Sequence, residues 1–522
     1  MIGNWKPVSF KQAKSLVRLR VLLGLLIGLR WRDLESAIRF MNVRYPQHSR
    51  VVRLLKFMRW SLDVMWSQIP DSDPWVELSE TISSTPYWLT AENPIADHPW
   101  ATNPVAALPE RAEVVVVGAG FGGADVAYHC SKQGATPLVI LERDQAASGS
   151  AGRNGEIVVM AGGALHGYYV YGAVNKYLGL IQPQLSDAER EERAGCFADA
   201  YVKALQASRE SIKEAMESEG IECDYARRGW VFYTDPLASE GLASSLALGS
   251  RRGYSDWVRR TPEQLLDRSG VRTSLDGAES LESATWHPAK WVWGILGAAL
   301  RSPEVELFTR TSVQRVEREG EEYAVHTDRG IIRSRHVVNA TEAHTPTVFK
   351  NFLGPFLNLI TTYKEQGIHL EGGPASIKSR VGVSGPLAWF TRIASGGMVL
   401  GSDNTAVSPR RAGRSEPSRF ITRYCCATVV TNWEDAPMRV THEWTGTTST
   451  TPDKFPVIGS MDGRGTHIIG GFSGAGSAAS FNAGRSIVFR ILGVQSDPDY
   501  HPDHFFSPFR FTDPARYGIL DP

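Results

Sequence analysis

Cysteine is scarce in this chain of 522 residues, and its five copies follow no recognisable motif. They are Cys130, Cys196, Cys223, Cys425 and Cys426. The number is odd, and the C-x-x-C spacing of zinc and dithiol sites is missing. This pattern excludes a disulfide framework and a structural zinc site, and we predict no metal site. Unpaired thiols are typical of a reducing compartment, so we expect a cytoplasmic protein.

A membrane-spanning segment is also missing from the sequence. The longest apolar run extends over nine residues from Val21 to Leu29, whereas a transmembrane helix needs about 20. Arg20 and Arg30 flank the run. No small-residue cleavage site follows it, which argues against a signal peptide.

The chain has no excess of charge of either sign, since 56 Lys and Arg balance 56 Asp and Glu. The balance argues against a nucleic-acid partner. Residues 1–70 differ, with 13 Lys and Arg against 3 Asp and Glu, a local net charge of +10. The basic residues that flank apolar helical faces are Arg18, Arg20, Arg30, Arg32, Arg50, Arg53, Lys56 and Arg59. We expect this region to pack on the rest of the chain or on a second subunit, or to contact an anionic membrane peripherally.

Glycine, in contrast, is concentrated where a predicted strand ends. Val114 to Val117 form an apolar run that suits a parallel strand buried on both faces. A G-x-G-x-x-G motif follows directly. Its first glycine permits a tight turn, its second lets a pyrophosphate approach the backbone, and its third lets a helix pack closely. The residues of this turn that we predict to bind a dinucleotide are Gly118, Gly120, Phe121, Gly122 and Gly123.

The elements after this turn complete a dinucleotide-binding unit. We predict a helix over residues 124–133 and a second strand over 137–141. Glu142 follows, 19 positions after Gly123, where a carboxylate accepts the ribose hydroxyls; Arg143 beside it is a further candidate cofactor residue. The helix N-terminus offers N–H groups and a positive dipole end to the phosphates. The motif alone does not distinguish FAD from NAD.

Three later segments show a family resemblance. Their motifs are S-G-S-A-G-R-N-G-E at 148–156, V-V-N-A-T-E-A at 337–343, and a series of E-W-T-G at 443–446, T-P-D at 451–453, P-V-I-G at 456–459 and G-G-F-S-G-A-G at 470–476. In this order they resemble the D-amino-acid-oxidase-like (DAO) superfamily of FAD-dependent oxidoreductases, over about residues 110–495. The similarity is greatest to its γ-glutamylputrescine oxidoreductase-like branch.

The resemblance implies an α/β fold, with a Rossmann-type FAD-binding domain, an inserted mixed-sheet substrate domain and an N-terminal helical extension. We expect a basic helical extension over 1–85 and a Pro-rich connector over 86–110. The expected parts of the FAD-binding domain are 111–165, 301–345 and 441–495, those of the substrate domain are 166–300 and 346–440, and 496–522 form a C-terminal tail.

The resemblance also implies FAD as the cofactor. We expect it to be held non-covalently, because no Cys or His lies between Trp444 and Gly459, a stretch through which some members attach the flavin. A helix start at 474–477 would direct N–H groups at the flavin carbonyl end. The implied cofactor-binding residues are Ser150, Arg153, Asn154, Gly155, Val313, Ala340, Thr341, Trp444, Gly446, Gly471, Phe472, Ser473, Gly474, Ala475 and Gly476.

The chain departs from the family pattern at several positions. Glu156 replaces a glycine, so that it either favours a cationic amine or faces solvent. Thr448 stands where many members carry an arginine that clamps the substrate carboxylate, and Ala475 replaces a histidine. Arg392 is our candidate for binding a carboxylate, with a surface strand arginine as the alternative. Arg392 and Asn154 are the predicted catalytic residues.

The function implied is oxidation of a carbon–nitrogen bond in an amine or amino-acid-type substrate. Hydride passes to flavin N5 and leaves an imine, and the electrons continue to oxygen or to another acceptor. One alternative is an NAD(P)H-dependent flavin monooxygenase, although no second G-x-G-x-x-G is present. Another is a non-catalytic flavin-binding or membrane-associated protein. The aromatic candidates for a substrate pocket are Tyr168, Tyr169, Trp230, Trp291 and Trp389.

Overall fold

The computed structural model describes residues 48–67, 81–98, 103, 105–134, 136–158, 163–233, 236–274, 276–352, 360–385, 388–407, 416–433, 436–494, 503–512 and 517. The expectations for residues 1–47 lie outside these ranges. The described part of the basic N-terminal region is a helix, Arg50–Ser67, on which Val51, Leu54 and Leu55 are exposed. Among the described helices, none is both long enough and apolar enough to cross a membrane.

The secondary structure alternates between helices and strands after the connector. The strands are β1 Arg111–Val117, β2 Leu138–Leu141, β3 Ile157–Val158, β4 Trp230–Tyr233, β5 Val258–Arg260, β6 Gly277–Ser280, β7 Ala284–Thr285, β8 Val305–Phe308, β9 Val313–Glu319, β10 Glu322–Thr327, β11 Gly330–Asn339, β12 Thr361–Gly372, β13 Gly382–Ser384, β14 Trp389–Arg392, β15 Met398–Val407, β16 Met438–Thr450, β17 Val457–Ser460 and β18 Thr466–Gly470. The helices are α1 Arg50–Ser67, α2 Phe121–Lys132, α3 Gly163–Ile181, α4 Asp187–Glu219, α5 Pro236–Arg251, α6 Pro262–Ser269, α7 Pro288–Ala299, α8 Thr345–Val348, α9 Arg419–Asn432, α10 Gly476–Leu492 and α11 Asp503–Phe506.

The first sheet contains the glycine-rich turn. Its strands are ordered β17-β18-β11-β1-β2-β8, and β10 and β9 extend β11 as an antiparallel meander. β1 runs parallel to both neighbours, with Val116 opposite Val338 on β11 and Ile140 on β2. All three side chains are buried, as expected for a parallel strand covered on both faces.

Helix α2 follows the turn and packs against α7 and α10. It begins at Phe121, three residues before the predicted start, because the carbonyl of Gly120 already accepts a hydrogen bond from the amide of Ala124. A Cβ on Gly484 of α10 would lie 2.9 Å from the carbonyl carbon of Asp125. The two helices can approach closely at this point because Gly484 has no side chain.

The second sheet has the order β16-β12-β15-β14-β13-β4-β6-β5 and is mixed, since β4 runs parallel to β13 and the other pairs are antiparallel. Helix α9 covers one face, and Cys425, Cys426, Phe390 and Trp433 lie in the core between them. A Rossmann-type sheet beside a second mixed sheet confirms the predicted α/β fold class.

The segment before β1 contacts the second sheet and segment 148–156. Ser83 forms a parallel bridge with His442 at the outer edge of β16, and a 3-10 turn follows over Tyr87–Thr90. Trp88 is buried, and its Nε1 donates to the carbonyl of Asn154 at 2.8 Å. The connector is thus fixed to the segment that we predicted to pass the flavin.

The C-terminal residues 503–512 and 517, here called the C-terminal clasp, pack on the loop before β17. Arg510 and Asp453 are fully buried and form two hydrogen bonds, from Nε to Oδ2 at 2.8 Å and from Nη2 to Oδ1 at 3.1 Å. Tyr517 also donates to Asp453, and the guanidinium of Arg510 donates further to the carbonyls of Phe506 and Phe455. The protein itself supplies partners for this buried ion pair.

Candidate active site

The carboxyl ends of β1 and β11 meet at the glycine-rich turn. Gly118 has a φ of +107°, and a Cβ there would lie 2.6 Å from the carbonyl oxygen of Ala340. The amide of Ala340 in turn donates to the carbonyl of Val117 at 3.0 Å. The chain leaves β1 toward β2 on one side and returns in β11 on the other. Ligands bind in α/β sheets at such a reversal of strand order.

The other glycines of the turn have different surroundings. A Cβ on Gly123 would lie 1.8 Å from the carbonyl oxygen of Gly118, and one on Gly122 would lie 3.2 Å from Ile469. A Cβ on Gly120 would meet only the Cβ of Ala151, at 3.6 Å. Gly123 is therefore required by the packing of the chain itself, whereas Gly120 leaves space beside its backbone. The α2 N-terminus at this space suits a pyrophosphate.

Glu142 lies directly after β2 and faces the turn. Its Oε2 accepts from the amide of Ala119 and its Oε1 from the amide of Asp144, both at 2.9 Å. Burial raises the pKa of Glu142, and these two hydrogen bonds oppose that effect. The oriented carboxylate keeps lone pairs for ribose hydroxyls. Arg143 instead pairs with Asp144 and is about half exposed.

The segment 148–156 is connected to β16 through Arg153. The guanidinium donates from Nε to the carbonyl of Ser148 at 2.8 Å and from Nη1 to that of Thr445 at 2.9 Å. The carbonyl of Arg153 accepts from Nε1 of Trp444 at 2.9 Å. Ser150 donates to the carbonyl of Thr447. These bonds place the predicted segment alongside the W-x-G motif.

Trp444 and Gly446 on β16 complete this contact. A Cβ on Gly446 would lie 3.3 Å from the Cβ of Arg153, and one on Gly367 of β12 would lie 2.7 Å from the Trp444 ring. Trp444 is fully buried. The tryptophan thus fills the space between the second sheet and segment 148–156 and holds them at a fixed distance.

Asn154 and Gly155 adjoin β14. The amide of Asn154 is used locally, since Nδ2 donates to the carbonyl of Ala151 at 2.7 Å and Oδ1 accepts from the amide of Glu156 at 3.0 Å. A Cβ on Gly155 would lie 2.4 Å from the Trp389 ring. Asn154 therefore shapes the turn, and Trp389 forms a wall against Gly155.

The end of β11 and the start of β9 adjoin the glycine-rich turn and Glu142. The space among these segments is here called the crevice. Thr341 donates its hydroxyl to Oδ1 of Asn339 at 2.7 Å, which fixes the loop after Ala340. Thr311 donates its amide to the carbonyl of Glu142 at 2.8 Å, and the buried Val313 follows two residues later. The structure thus brings Ala340, Thr341 and Val313 near the turn and the ribose carboxylate.

Glu342 connects three segments, and the sequence analysis did not select it as a site residue. Its Oε1 accepts from the amide of Ser449 at 3.1 Å and from its hydroxyl at 2.9 Å. Its Oε2 accepts from the amide of Gly471 at 2.8 Å. Burial raises the pKa of Glu342, while these bonds favour the charged form. The sequence feature that could have identified Glu342 is its position within the motif V-V-N-A-T-E-A.

The turn before α10 is strongly bent. Positive φ angles occur at Gly471, Ser473 and Gly474, at +64°, +51° and +95°. Phe472 bridges to Thr450 of β16, and the amide of Ser473 donates to the carbonyl of Ser449 at 3.1 Å. Ala475 is the N-cap and α10 begins at Gly476. The N-terminus of α10 thus lies beside the loop of Glu342, where its dipole favours negative charge.

Glu156 is buried, which excludes the solvent-facing alternative stated for its side chain. It is 2% exposed, and its φ is +71°. Burial raises the pKa of Glu156 well above its ordinary value, Arg380 lowers it, and Asp224 raises it further. A buried acid therefore stands beside Gly155 and Trp389.

Arg392 lies away from this group. Along β14, Trp389 contacts Gly155 and Thr391 donates its hydroxyl to the carbonyl of Gly155 at 3.3 Å. Successive strand residues point to opposite faces, so Arg392 shares the face of the core residue Phe390. Its Nη1 donates to the carbonyl of Pro374 at 2.8 Å. The structure does not bring Arg392 to the substrate side of Gly155.

The other aromatic candidates differ in position. Trp291 stacks on Trp286 with ring centroids 4.7 Å apart, in the hydrophobic core that includes the side chains of β1 and β2. Phe121 lies 5.8 Å from Trp286. Trp230 is buried against Trp257 in a separate cluster. The side chains of Tyr168 and Tyr169 lie outside the described residues. Trp389 is thus the aromatic candidate that the structure places beside segment 148–156.

Two curated proteins are similar to this chain in sequence. The mitochondrial pyruvate dehydrogenase phosphatase regulatory subunit of Mus musculus is 25% identical over 265 residues, which cover 49% of this chain and 26% of that protein. The chain therefore spans about a quarter of the length of this relative. Probable oxidoreductase OrdL of Haemophilus influenzae is 21% identical over 399 residues, which cover 74% of this chain and 84% of that protein.

A solved structure and a family profile complete the comparison. The L-proline dehydrogenase from P. horikoshii superposes with a TM-score of 0.60 at 21% identity and covers 78% of this chain and 99% of its own. This likeness shows the fold. Residues 113–490 match the profile of the DAO family, described as FAD dependent oxidoreductase. The match extends over well more than half of the chain, and the protein therefore belongs to the DAO family of FAD-dependent oxidoreductases.

Proposed function

We propose that the protein oxidises a carbon–nitrogen bond of an amine or amino-acid-type substrate with non-covalently bound FAD. The observation that carries the proposal is the meeting of three distant backbone turns. The turn at Gly118 contacts Ala340, and the Glu342 loop that follows contacts the turn at Gly471 before α10. Space is left beside Gly120. This arrangement suits a dinucleotide with its ring system extended toward the second sheet.

The residues present fit FAD at each end of the crevice. The α2 N-terminus and Gly120 would hold the pyrophosphate, and Glu142 the ribose. The α10 N-terminus would face the carbonyl end of the ring, where its dipole stabilises negative charge. Bound FAD supplies a two-electron acceptor, which the side chains of the protein lack.

The chain itself would orient the substrate and exclude water. Trp389 and Gly155 form one wall, and Arg153 and Trp444 hold that wall against β16. A rigid wall beside the ring favours a fixed position of the substrate α-carbon. Hydride leaves the neutral form of the amine, so a substrate that binds as an ammonium first gives one proton to water or to a neighbouring carboxylate, and the resulting imine is hydrolysed by water.

The substrate type is supported by the relatives and by the sequence motifs. The superposed structure is an L-proline dehydrogenase by name, and OrdL is described as a probable oxidoreductase. The motif at 148–156 favours the γ-glutamylputrescine oxidoreductase-like branch within this family. We therefore infer an amine or amino-acid-type substrate, with oxygen or another compound as electron acceptor.

A regulatory flavoprotein without turnover is the second candidate. It is favoured by the similarity to a phosphatase regulatory subunit, over 49% of this chain. The two candidates differ in whether a small molecule reduces the flavin.

The test is an anaerobic titration of the purified protein. Amines, N-methyl amino acids and amino acids are added one at a time while the visible flavin absorption is recorded. We expect one class to bleach the flavin, and recovery in air would identify an oxidase. Bleaching that persists in air would indicate another acceptor. A flavin that no compound reduces would favour the regulatory candidate, and a protein that cannot be reconstituted with FAD would refute both.

A further inference from the structure

Two charged side chains beside the wall of Trp389 and Gly155 are incompletely paired. Glu156 is almost fully buried, and its Oε2 accepts no hydrogen bond from any described residue. Arg380 is half-buried, and its Nε and Nη2 are shielded from solvent without an acceptor in the described part of the chain. The charge of Arg380 lowers the pKa of Glu156, and that of Asp224 raises it.

Both residues are anchored to the end of β7. The carbonyl of Glu156 accepts from the amide of Trp286 at 3.2 Å, and the carbonyl of Arg380 accepts from the hydroxyl of Thr285 at 3.4 Å. Both have left-handed backbones, with φ of +71° and +63°, which non-glycine residues adopt at a cost. Thr285 at the end of β7 and Trp286 directly after it thus hold the backbones of these two strained residues.

The pair also borders the region assigned to the substrate. Glu156 follows Gly155, which contacts the Trp389 ring and accepts from Thr391. The amide of Arg380 donates to the carbonyl of Arg392 at the end of β14, at 2.7 Å. Glu156 therefore adjoins the wall in sequence, and the backbone of Arg380 is joined to the end of the strand that carries Trp389.

A buried ion pair with only a structural role looks different in this molecule. Arg510 and Asp453 form two direct hydrogen bonds. Glu156 and Arg380 instead keep hydrogen-bonding capacity, and because burial favours the neutral form of Glu156, a cationic ligand would be needed to stabilise its charged form. A ligand with one positive and one negative group would compensate both. An amine would compensate Glu156 alone, and a carboxylate Arg380 alone.

We propose that Glu156 and Arg380 together recognise a zwitterionic amino-acid-type substrate, with Glu156 binding the ammonium group and Arg380 the carboxylate. The proposal rests on the proposed function and narrows its substrate from amines in general to compounds that carry both charges. It assigns carboxylate recognition to Arg380, whereas Arg392 is directed to the carbonyl of Pro374.

The first test measures binding without turnover. Benzoate, a carboxylate without an amine, is titrated into the flavin-bound protein, and its Kd is read from the change in flavin absorption. We expect Arg380→Gln to raise the Kd about tenfold or more, because a charge-assisted hydrogen bond is lost. Glu156→Gln should leave benzoate binding intact or tighten it. Arg439→Gln, which removes one member of an exposed ion pair with Glu371, is the matched control.

The second test compares substrates that differ by one carboxylate. The pairs are glycine and methylamine, L-proline and pyrrolidine, and phenylalanine and phenethylamine, each added anaerobically to the wild-type protein and the variants. We expect the amino acid of a pair to bleach the flavin faster. Arg380→Gln should remove this preference while the amine of the same pair still reacts.

The outcomes separate the two proposals. If no compound bleaches the flavin, the proposed function fails, whereas the benzoate titration still decides whether Arg380 binds carboxylates. An unchanged benzoate Kd in Arg380→Gln, or a wild-type preference for the decarboxylated amines, would overturn the recognition site. If Arg380→Gln loses its flavin, Arg380→Lys keeps the charge without the fork geometry; an intermediate benzoate Kd would support the site, and a wild-type Kd would refute it.

Discussion

The C-terminal clasp and the crevice contain the same kinds of buried charge, but they are completed in different ways. Arg510 and Asp453 bind each other in a bidentate pair, and Tyr517 adds a further bond. In the crevice, Glu156 and Arg380 keep atoms without partners among the described residues, and Gly120 leaves space beside the backbone.

The difference separates buried charges that stabilise the fold from those that we propose to bind a ligand. A buried pair with all its hydrogen bonds holds elements together, whereas polar groups left incomplete in a crevice destabilise the empty fold and favour ligands. The clasp should therefore respond to mutation through unfolding, and the crevice through binding. The predictions below test this division, from the largest expected effect to the smallest.

Removing one member of the clasp pair should produce the largest loss of stability. Arg510→Met leaves the Asp453 carboxylate buried without its counter-charge, and we expect the free energy of unfolding to fall by about 3–5 kcal/mol. Denaturant titration measures the change. Arg439→Met, at the exposed pair with Glu371, is the control, for which about 0–1 kcal/mol is expected. Equal losses in the two variants would contradict the special role of the clasp.

Filling the space beside Gly120 should affect the cofactor before it affects the fold. Gly120→Ala places a Cβ at ordinary contact distance, 3.6 Å from Ala151, but in the space that we propose for the pyrophosphate. We expect FAD affinity to fall by about 1–3 kcal/mol, as measured by titrating the apoprotein with FAD. Gly241→Ala in α5, where a Cβ meets nothing within 4 Å, should bind FAD like the wild type. Wild-type affinity in Gly120→Ala would refute this placement of the cofactor.

Neutralising an incompletely paired buried carboxylate and a fully hydrogen-bonded one should change stability in opposite directions. Glu156→Gln removes an incompletely paired acid, and we expect a gain of about 1 kcal/mol in the free energy of unfolding. Glu342→Gln disturbs the bonds from Ser449 and Gly471 and should lose about 1–3 kcal/mol. Denaturation of both variants at one pH makes the comparison, and changes of the same sign would contradict it.

The Glu156 variant should also alter the pH dependence of stability. The folded pKa of Glu156 lies well above its ordinary value of 4.5, chiefly through burial. Its contribution is therefore fully present below the unfolded pKa and is lost as pH rises through the folded pKa. Glu156→Gln should remove this decline, so its advantage over the wild type grows with pH. A difference in the free energy of unfolding between variant and wild type that stays constant as pH rises above the ordinary pKa of Glu156 would show that Glu156 is not the titrating group.

The smallest expected effect concerns peripheral membrane contact through residues 1–70, one of the two roles predicted for this region. Val51, Leu54 and Leu55 of α1 are 67%, 46% and 59% exposed, beside basic residues that would meet anionic lipid. We expect the full chain to cosediment with anionic vesicles more than with neutral ones. Leu55→Gln should weaken this binding by about 1 kcal/mol. Equal sedimentation with both vesicles would instead favour packing on the rest of the chain or on a second subunit.

The fold and the cofactor side of the site were accessible from sequence because their signals are local. Gly118, Gly123 and Glu142 follow a fixed spacing that the geometry of one βα unit imposes, and in the structure the two glycines form the turn after β1 and Glu142 follows β2. Arg380 lies 224 positions from Glu156 in sequence and carries no motif. Its position depends on how the second sheet meets β7, which no local pattern encodes. Arg392 was selected by local resemblance, although strand alternation turns it to the other face.

The three hydrogen bonds of Glu342 also restrict the design of chimeric proteins with this fold. One carboxylate connects the end of β11 to Ser449 of the second sheet and to Gly471 before α10. A chimera that exchanges the second sheet between relatives would need a donor backbone of the same geometry at position 449. Such a chimera would also have to keep the contacts of segment 148–156 with Trp444, Thr445 and Thr447 on β16.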